Sequence, residues 1–150
     1  MIRVLHLLGV DADFQTARTH QSLQRNLGDG FAIEKRSIGY RGDFRNVPTA
    51  AIALRHEPAE IIHAWGVPAM LAAAMSGGAR RILFSPNKFA GGKTVRWVRS
   101  AIDYRNVQML CATATQRRTA IEHGVPPARC HLIRPGVEFS RINRRRDDAL

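Results

Sequence analysis

The sequence predicts an α/β fold in which a parallel sheet of about six strands has helices on both faces. Short apolar segments alternate along the chain with segments that have helical spacing of apolar residues. Residues 2–8 are apolar on both alternations, which is typical of a strand buried on both faces of a parallel sheet. Glycine or proline separates most of these segments, so strand and helix boundaries are well marked.

The first half of the chain supplies three predicted strands. Residues 2–8 form the first and end at Gly9, after which Asp13 can cap a helix through residue 27. The turn at residues 28–30 leads to a second strand at 31–38, interrupted by charged residues. A short helix at 47–56 stops before Pro58. Residues 60–65 are the third strand.

The second half repeats the alternation. We predict a helix at 69–75 after a Gly-Val-Pro segment, and a fourth strand at 81–85 followed by a glycine-containing loop. A helix at 93–104 and a fifth strand at 107–112 come next. This order is that of a Rossmann-like sheet.

Residues 113–138 carry the clearest local signals. Thr113 and Gln116 form a capping-box pattern at the start of a helix that runs to His123. Gly124 can adopt the left-handed conformation that ends a helix, and the two prolines that follow cannot continue it. A sixth strand at 130–133 is closed by Pro-Gly-Val-Glu at 135–138.

This last pattern resembles the end of the N-terminal domain in GT-B glycosyltransferases, particularly family 4. The segment His-Glu-Pro-Ala-Glu-Ile-Ile-His at 56–63 is also similar to a family segment in which a proline and an acid precede an apolar strand that ends in His. At 84–86 the chain has Phe-Ser-Pro where the family often has Thr and His. The resemblance covers most of residues 1–140.

The resemblance implies a two-domain enzyme of which this chain is one half. Residues 1–140 would be the Rossmann-like, acceptor-side domain, and the basic residues 141–150 a linker or the start of a C-terminal, donor-binding domain. The full-length protein would transfer a sugar from a nucleotide-sugar to an acceptor with retention of configuration. The present chain alone would be inactive.

Ligands of open parallel sheets bind at the carboxyl ends of the strands. This rule predicts substrate-binding residues in four clusters: Gly9, Asp11 and Asp13; His63 and Trp65; Ser85, Asn87 and Lys88; Thr113 and Thr115. Structural roles compete with the first three clusters: Asp13 as a helix cap, a solvated Asp11, a structural His63, and a plain crossover loop after Ser85. Gly9 lacks the further glycines of a dinucleotide-binding loop, which disfavours a pyrophosphate there.

Net charge of +11 and a pI near 11.3 favour anionic partners. Lys93, Arg96 and Arg99 should lie on the outer face of the fourth predicted helix beside Trp97, as a patch for an anionic membrane surface or a lipid-linked phosphate. A solvated face with Trp97 half-buried in the core is the competing interpretation. The N-terminus does not resemble a signal peptide, so we expect a cytoplasmic protein. The basic patch would allow peripheral contact with the inner face of a membrane.

No pattern predicts a metal or covalent catalysis, so the nucleotide-sugar is expected as co-substrate with no cofactor. Cys111 and Cys130 are predicted to be buried free thiols. Predicted partners are the C-terminal domain, the donor, and a glycan, lipid-linked or small-molecule acceptor. A stand-alone Rossmann-like domain that binds a nucleotide or phosphorylated ligand is the alternative. A nucleic-acid partner is disfavoured because basic residues are dispersed without a recognised motif.

Overall fold

A six-stranded, fully parallel sheet organises the computed structural model of the chain. The structure describes residues 1–9, 21–23, 25, 28–38, 44–78, 80–86 and 93–134, with residues 93 and 94 described by their backbone only. The strands are β1 Ile2–Leu8, β2 Phe31–Ser37, β3 Ile61–Trp65, β4 Arg81–Ser85, β5 Val107–Cys111 and β6 Cys130–Leu132. Their order is β2-β1-β3-β4-β5-β6. All six predicted strands are therefore confirmed.

Helices connect successive strands in the described ranges, as the sequence predicts. They are α1 Val47–Leu54, α2 Val67–Met75, α3 Lys93–Tyr104 and α4 Ala114–Glu122, with 3-10 turns at Phe44–Asn46 and Pro127–Arg129. Residues 21–23 and 25 are also helical, within the helix predicted at 13–27. α2 begins two residues earlier than predicted, because Pro68 lies in the first turn of the helix, where its missing N–H is not needed.

The main hydrophobic core lies on one face of the sheet. Alternate strand residues point to this face, among them Leu5, Ile62, Phe84 and Met109, all almost fully buried. Side chains from α1, α2, α3 and α4 belong to the same buried cluster. The four helices thus cover this face as one layer, with α2 contacting both α1 and α3.

The direction of each connection explains why the helices share a face. From β2 onward the strands are added in one direction across the sheet, and right-handed crossovers then place every connecting helix on the same side. The step from β1 to β2 runs in the opposite direction across the sheet. This arrangement gives the Rossmann-like α/β fold expected from the sequence.

The opposite face of the sheet is more polar. In the register of β1, β3 and β4, His6 pairs with His63, and Leu8 pairs with Trp65, which pairs with Ser85. Because paired residues of parallel strands point to the same side, these residues share the face opposite the main core. Two histidines, a tryptophan and a serine therefore gather on this face of β1, β3 and β4.

Local signals determine both ends of α4. The Thr113 hydroxyl accepts a hydrogen bond from the Gln116 amide at 3.1 Å, which confirms the N-cap. At the other end the Gly124 amide donates to Ile121 and the Val125 amide to Ala120, the two hydrogen bonds of a Schellman motif. Gly124 has φ of 88°. This helix therefore begins and ends where the sequence predicts.

Candidate functional site

The carboxyl edge of the sheet brings together three of the predicted clusters. The Gly9 amide donates to the Trp65 carbonyl oxygen at 2.8 Å, and the Gly66 amide donates to the Ser85 carbonyl oxygen at 3.1 Å. The ladder between β1, β3 and β4 thus continues one residue past the strands. Gly9, Trp65 and Ser85 consequently lie side by side at this edge, as the sequence predicts for a ligand site.

Two imidazoles and an indole form a compact cluster just below this edge. The rings of His63 and Trp65 stack with centroids 4.3 Å apart, and the His6 ring meets His63 edge-on at 5.0 Å. His6 is also 6.0 Å from the Trp65 ring. The cluster spans neighbouring strands β1 and β3, so the rigid sheet holds all three rings.

His63 is linked to the next strand through a hydrogen bond. Its Nε2 lies 2.8 Å from the Ser85 hydroxyl oxygen of β4. A hydroxyl can donate or accept, so this bond can form with either tautomer of the imidazole. His63 is buried, and its orientation is fixed by Ser85 on one side and by the Trp65 ring on the other. We call His6, His63, Trp65 and Ser85 the polar cluster.

Trp65 has a polar group that the described residues leave unsatisfied. The side chain is only 7% exposed, and its indole Nε1 has no hydrogen-bond partner in the described part of the chain. Buried indole N–H groups are usually hydrogen-bonded, because an unpaired donor loses its interaction with water. Among the described residues, Nε1 is therefore a buried donor without an acceptor.

The fourth predicted cluster follows β5 at the same edge of the sheet. Thr113 is engaged as the N-cap of α4, and Thr115 is exposed in the first turn. Gln116 ties this helix to the neighbouring strand end: its Nε2 donates to the Pro86 carbonyl at 3.0 Å, and its Oε1 accepts from the Ala112 amide at 2.8 Å. In a capping box Gln116 Oε1 would accept from the amide of the N-cap residue Thr113. Here it accepts from the amide of Ala112, one residue earlier.

Four predicted site residues lie outside the described residues: Asp11, Asp13, Asn87 and Lys88. The same is true of the predicted linker at 141–150 and of the Pro-Gly-Val-Glu segment. Their assignments stay predictions.

The predicted basic patch has the expected helix geometry where it is described. Val95, Val98 and Ile102 are buried, while Arg96 and Arg99 are exposed on the outer face of α3. Trp97 is 46% exposed and packs against Phe44, with ring centroids 5.3 Å apart. Trp97 is therefore half-exposed, and its ring partner is another surface aromatic rather than a residue of the core.

The cysteines do not provide a nucleophile. Both are free and buried. Burial raises the pKa of Cys111 to about 11, with the neighbouring Cys130 adding to the rise and Arg117 opposing it. Burial likewise raises the pKa of Cys130. Thiols with raised pKa values stay protonated and unreactive at neutral pH.

Within the described ranges, no three His, Cys, Asp or Glu side chains are grouped so that they could hold a metal ion. No helix among the described residues is long and apolar enough to cross a membrane.

His6 is not among the predicted site residues, and Gln116 is predicted only as part of the cap of α4. A signal for His6 was present, because His6 and His63 each precede a strand-ending glycine by three residues, at Gly9 and Gly66. Because β1 and β3 are neighbouring parallel strands that both end at a glycine, residues at the same distance from that glycine lie side by side. His6 is 1% exposed and belongs to the polar cluster.

Comparison with known proteins gave a match by structure alone. No family model and no curated protein matches the sequence. Among solved structures, the chain is similar to the apo form of the lipopolysaccharide outer core galactosyltransferase WaaB, with a TM-score of 0.63 and 11% sequence identity. The match covers 92% of this chain and 47% of that chain, so the present chain spans about half the length of its structural neighbour. At this identity the similarity establishes a shared fold.

Proposed function

We propose that this chain is the acceptor-side domain of a GT-B glycosyltransferase of the family 4 type. The observation that carries the proposal is the match of nearly the whole chain to about half of a galactosyltransferase. The Gly-Val-Pro and Pro-Gly-Val-Glu patterns around α4 and β6 support it from the sequence side. In this proposal a second domain binds the nucleotide-sugar donor, and this domain alone does not catalyse transfer.

The reaction forms a bond between the anomeric carbon of the sugar and an acceptor oxygen. The bond from that carbon to the nucleoside diphosphate breaks, the diphosphate leaves with the electron pair, and the acceptor hydroxyl loses its proton. A retaining enzyme carries this out with the anomeric configuration unchanged. The acceptor can be a glycan, a lipid-linked sugar or a small molecule.

The polar cluster would serve the acceptor in this scheme. The Trp65 Nε1–H would donate to an acceptor oxygen, since it has no partner among the described residues. His63 and Ser85 would supply further polar atoms at the same edge, held in place by their mutual hydrogen bond. The rigid sheet holds the indole N–H of Trp65 in position before the ligand binds, which reduces the entropic cost of binding.

The second candidate is a stand-alone domain that binds a nucleotide or phosphorylated ligand. It is favoured by the exposed N-terminal turn of α4, whose amides lie at the ligand edge, and by the positive net charge. The missing glycines after Gly9 count against it, because a pyrophosphate needs close approach to the backbone there.

Ligand-observed NMR on the purified protein distinguishes the two candidates, with a panel of hexoses as acceptor probes and uridine diphosphate as the donor probe. We expect saturation transfer to a hexose and about fivefold weaker binding in Trp65→Phe, which removes one neutral hydrogen bond. Trp97→Phe, a matched change away from the polar cluster, should bind as wild type. Binding of uridine diphosphate to this chain with no effect of Trp65→Phe on any ligand would favour the stand-alone domain.

A further inference from the structure

The parallel sheet has an open edge at β6 among the described residues. β6 pairs with β5 on one side, and no described strand follows it on the other. The Ile133 amide donates to the Cys111 carbonyl oxygen at 2.9 Å, so the main-chain groups of Ile133 face β5. Because these groups alternate in direction along a strand, the N–H and C=O of Leu132 face away from the sheet. Such unpaired groups on an edge strand are a template for a further strand.

One outward group of β6 already has a partner from α4. The Arg117 Nε–H donates to the Cys130 carbonyl oxygen at 3.0 Å. Cys130 precedes Leu132 by two residues, so its main-chain groups also face away from β5. The guanidinium of Arg117 therefore lies at the open edge. Among the described residues, its terminal nitrogens have no acceptor.

A groove lies beside this edge, between β6 and α4, and encloses about 350 Å³. Its lining residues on α4 are spaced by three and four positions, so they belong to one face of the helix. Ile121 is partly buried and Leu132 is 39% exposed, so both leave apolar surface in contact with water. The lining residues are Ala114, Arg117, Arg118, Ile121, Glu122 and Leu132. A strand added to β6 would run along this groove and cover its apolar surface.

The charge around the groove is mainly positive. Arg118 is exposed on α4, and Arg134 is exposed just after β6. Neither forms an ion pair with another described residue. Glu122 is the only acidic residue among the described residues that line the groove. A partner with carboxylates would therefore complement this surface, whereas a second copy of the chain would bring the same arginines to it.

We propose that the open edge of β6 and this groove, together called the edge groove, bind an extended acidic segment of a partner protein. The main chain of the segment pairs with the N–H and C=O of Leu132 as a seventh strand, about 4.8 Å from β6. Apolar side chains on its α4 side pack on Ile121 and Leu132, and carboxylates on the same side bind Arg117 and Arg118. A nucleic acid has no backbone amides with which to continue the sheet. The inference does not rest on the proposed function.

Fluorescence anisotropy of a labelled peptide, Glu-Thr-Val-Thr-Glu-Thr-Val-Thr, mixed with the purified protein tests this proposal. The glutamates and valines of the peptide share one face of a strand, which matches the mixed charged and apolar lining of the edge groove. We expect it to bind at least about tenfold more tightly than the same peptide with lysine in place of glutamate. The acidic peptide with N-methylated amides cannot pair with β6 and should also bind about tenfold more weakly.

Variants of the protein test the two parts of the edge groove separately. Leu132→Pro removes the outward N–H, and proline is tolerated at such edge positions. It should weaken binding of the acidic peptide about fivefold relative to Leu132→Ala, which removes the side chain but keeps the N–H. Arg118→Gln should weaken binding about fivefold. Arg96→Gln, an equal change of charge on the exposed face of α3, should change it less than about twofold.

The controls also define the results that contradict the proposal. If Arg96→Gln weakens binding as much as Arg118→Gln, the attraction is a diffuse effect of net charge and the proposal fails. It fails equally if the acidic peptide does not bind at up to about 1 mM, or if N-methylation has no effect. Sedimentation as a dimer that Leu132→Pro dissociates would assign the edge groove to a second copy of the chain instead. Arg118→Gln alters only an exposed side chain, so it remains informative if Leu132→Pro does not fold.

Discussion

The side chain of His63 contacts residues of its own strand and of both neighbouring strands. Its imidazole bonds to Ser85 on β4 and stacks on Trp65, two residues later on β3, while His6 of β1 approaches its edge. Such contacts across parallel strands depend on register, and the register depends on the whole sheet. Single residues such as His63, Trp65 and Ser85 can therefore be picked from strand ends in the sequence. The contact of His63 with Ser85 and the place of His6 beside it emerge only when the strands are aligned.

The buried thiol of Cys111 gives a pH-dependent prediction. Its folded-state pKa is raised to about 11, so the folded protein keeps the proton that the unfolded chain loses at lower pH. The contribution to stability is fully present below the unfolded pKa and is lost as the pH rises toward 11. We expect the free energy of unfolding of wild type to exceed that of Cys111→Ala by a margin that shrinks in this range.

Urea unfolding of both proteins between pH 8 and 11 measures this margin, and taking the difference removes the titration of other groups. A margin that stays constant over the whole range would show that the thiol is not protonated preferentially in the folded state. As a control, the same pair of measurements would be made with the exposed change Tyr104→Ser present in both proteins. The difference in free energy of unfolding caused by Cys111→Ala should then be the same as without it.

At the scale of elements, helix ends are determined by short-range chemistry and by distant arginines. The sequence alone predicts both ends of α4, because Thr113 and Gly124 act on backbone groups within one turn. The arginine contacts at the ends of α1 and α2 join residues far apart in the chain, Arg80 to Leu54 and Arg105 to Ala74. These contacts could not be predicted from local patterns, since they require the packed helix layer.

The N-cap of α4 gives a prediction for stability. Thr113→Ala removes the acceptor for the Gln116 amide and should lower the free energy of unfolding by about 1 kcal/mol. Thr113→Ser keeps the hydroxyl and should retain most of the stability. Thr115→Ala, two residues further along the same exposed turn, should change it by less than about 0.5 kcal/mol. Equal losses for Thr113→Ala and Thr115→Ala in urea unfolding would contradict the capping role.

At the scale of the molecule, the sequence predicts the strand order along the chain, the parallel sheet and the carboxyl edge as the ligand site. Alternating apolar segments with clear stops are sufficient for this, because right-handed crossovers leave few topologies. The edge groove was not predicted, because only the tertiary structure shows that β6 lies at the edge of the sheet and that α4 borders it. The match to half of a galactosyltransferase agrees with the fold that the α4 and β6 patterns imply.

The most direct test of the proposed function is an assay of sugar transfer. Release of nucleoside diphosphate would be measured from a panel of nucleotide-sugars and acceptors, first with residues 1–150 alone and then with these residues joined to a donor-binding α/β domain. We predict no release by the chain alone, and acceptor-dependent release once a second α/β domain follows it. Sugar transfer by residues 1–150 alone would contradict the assignment of this chain as the acceptor-side half of a two-domain glycosyltransferase.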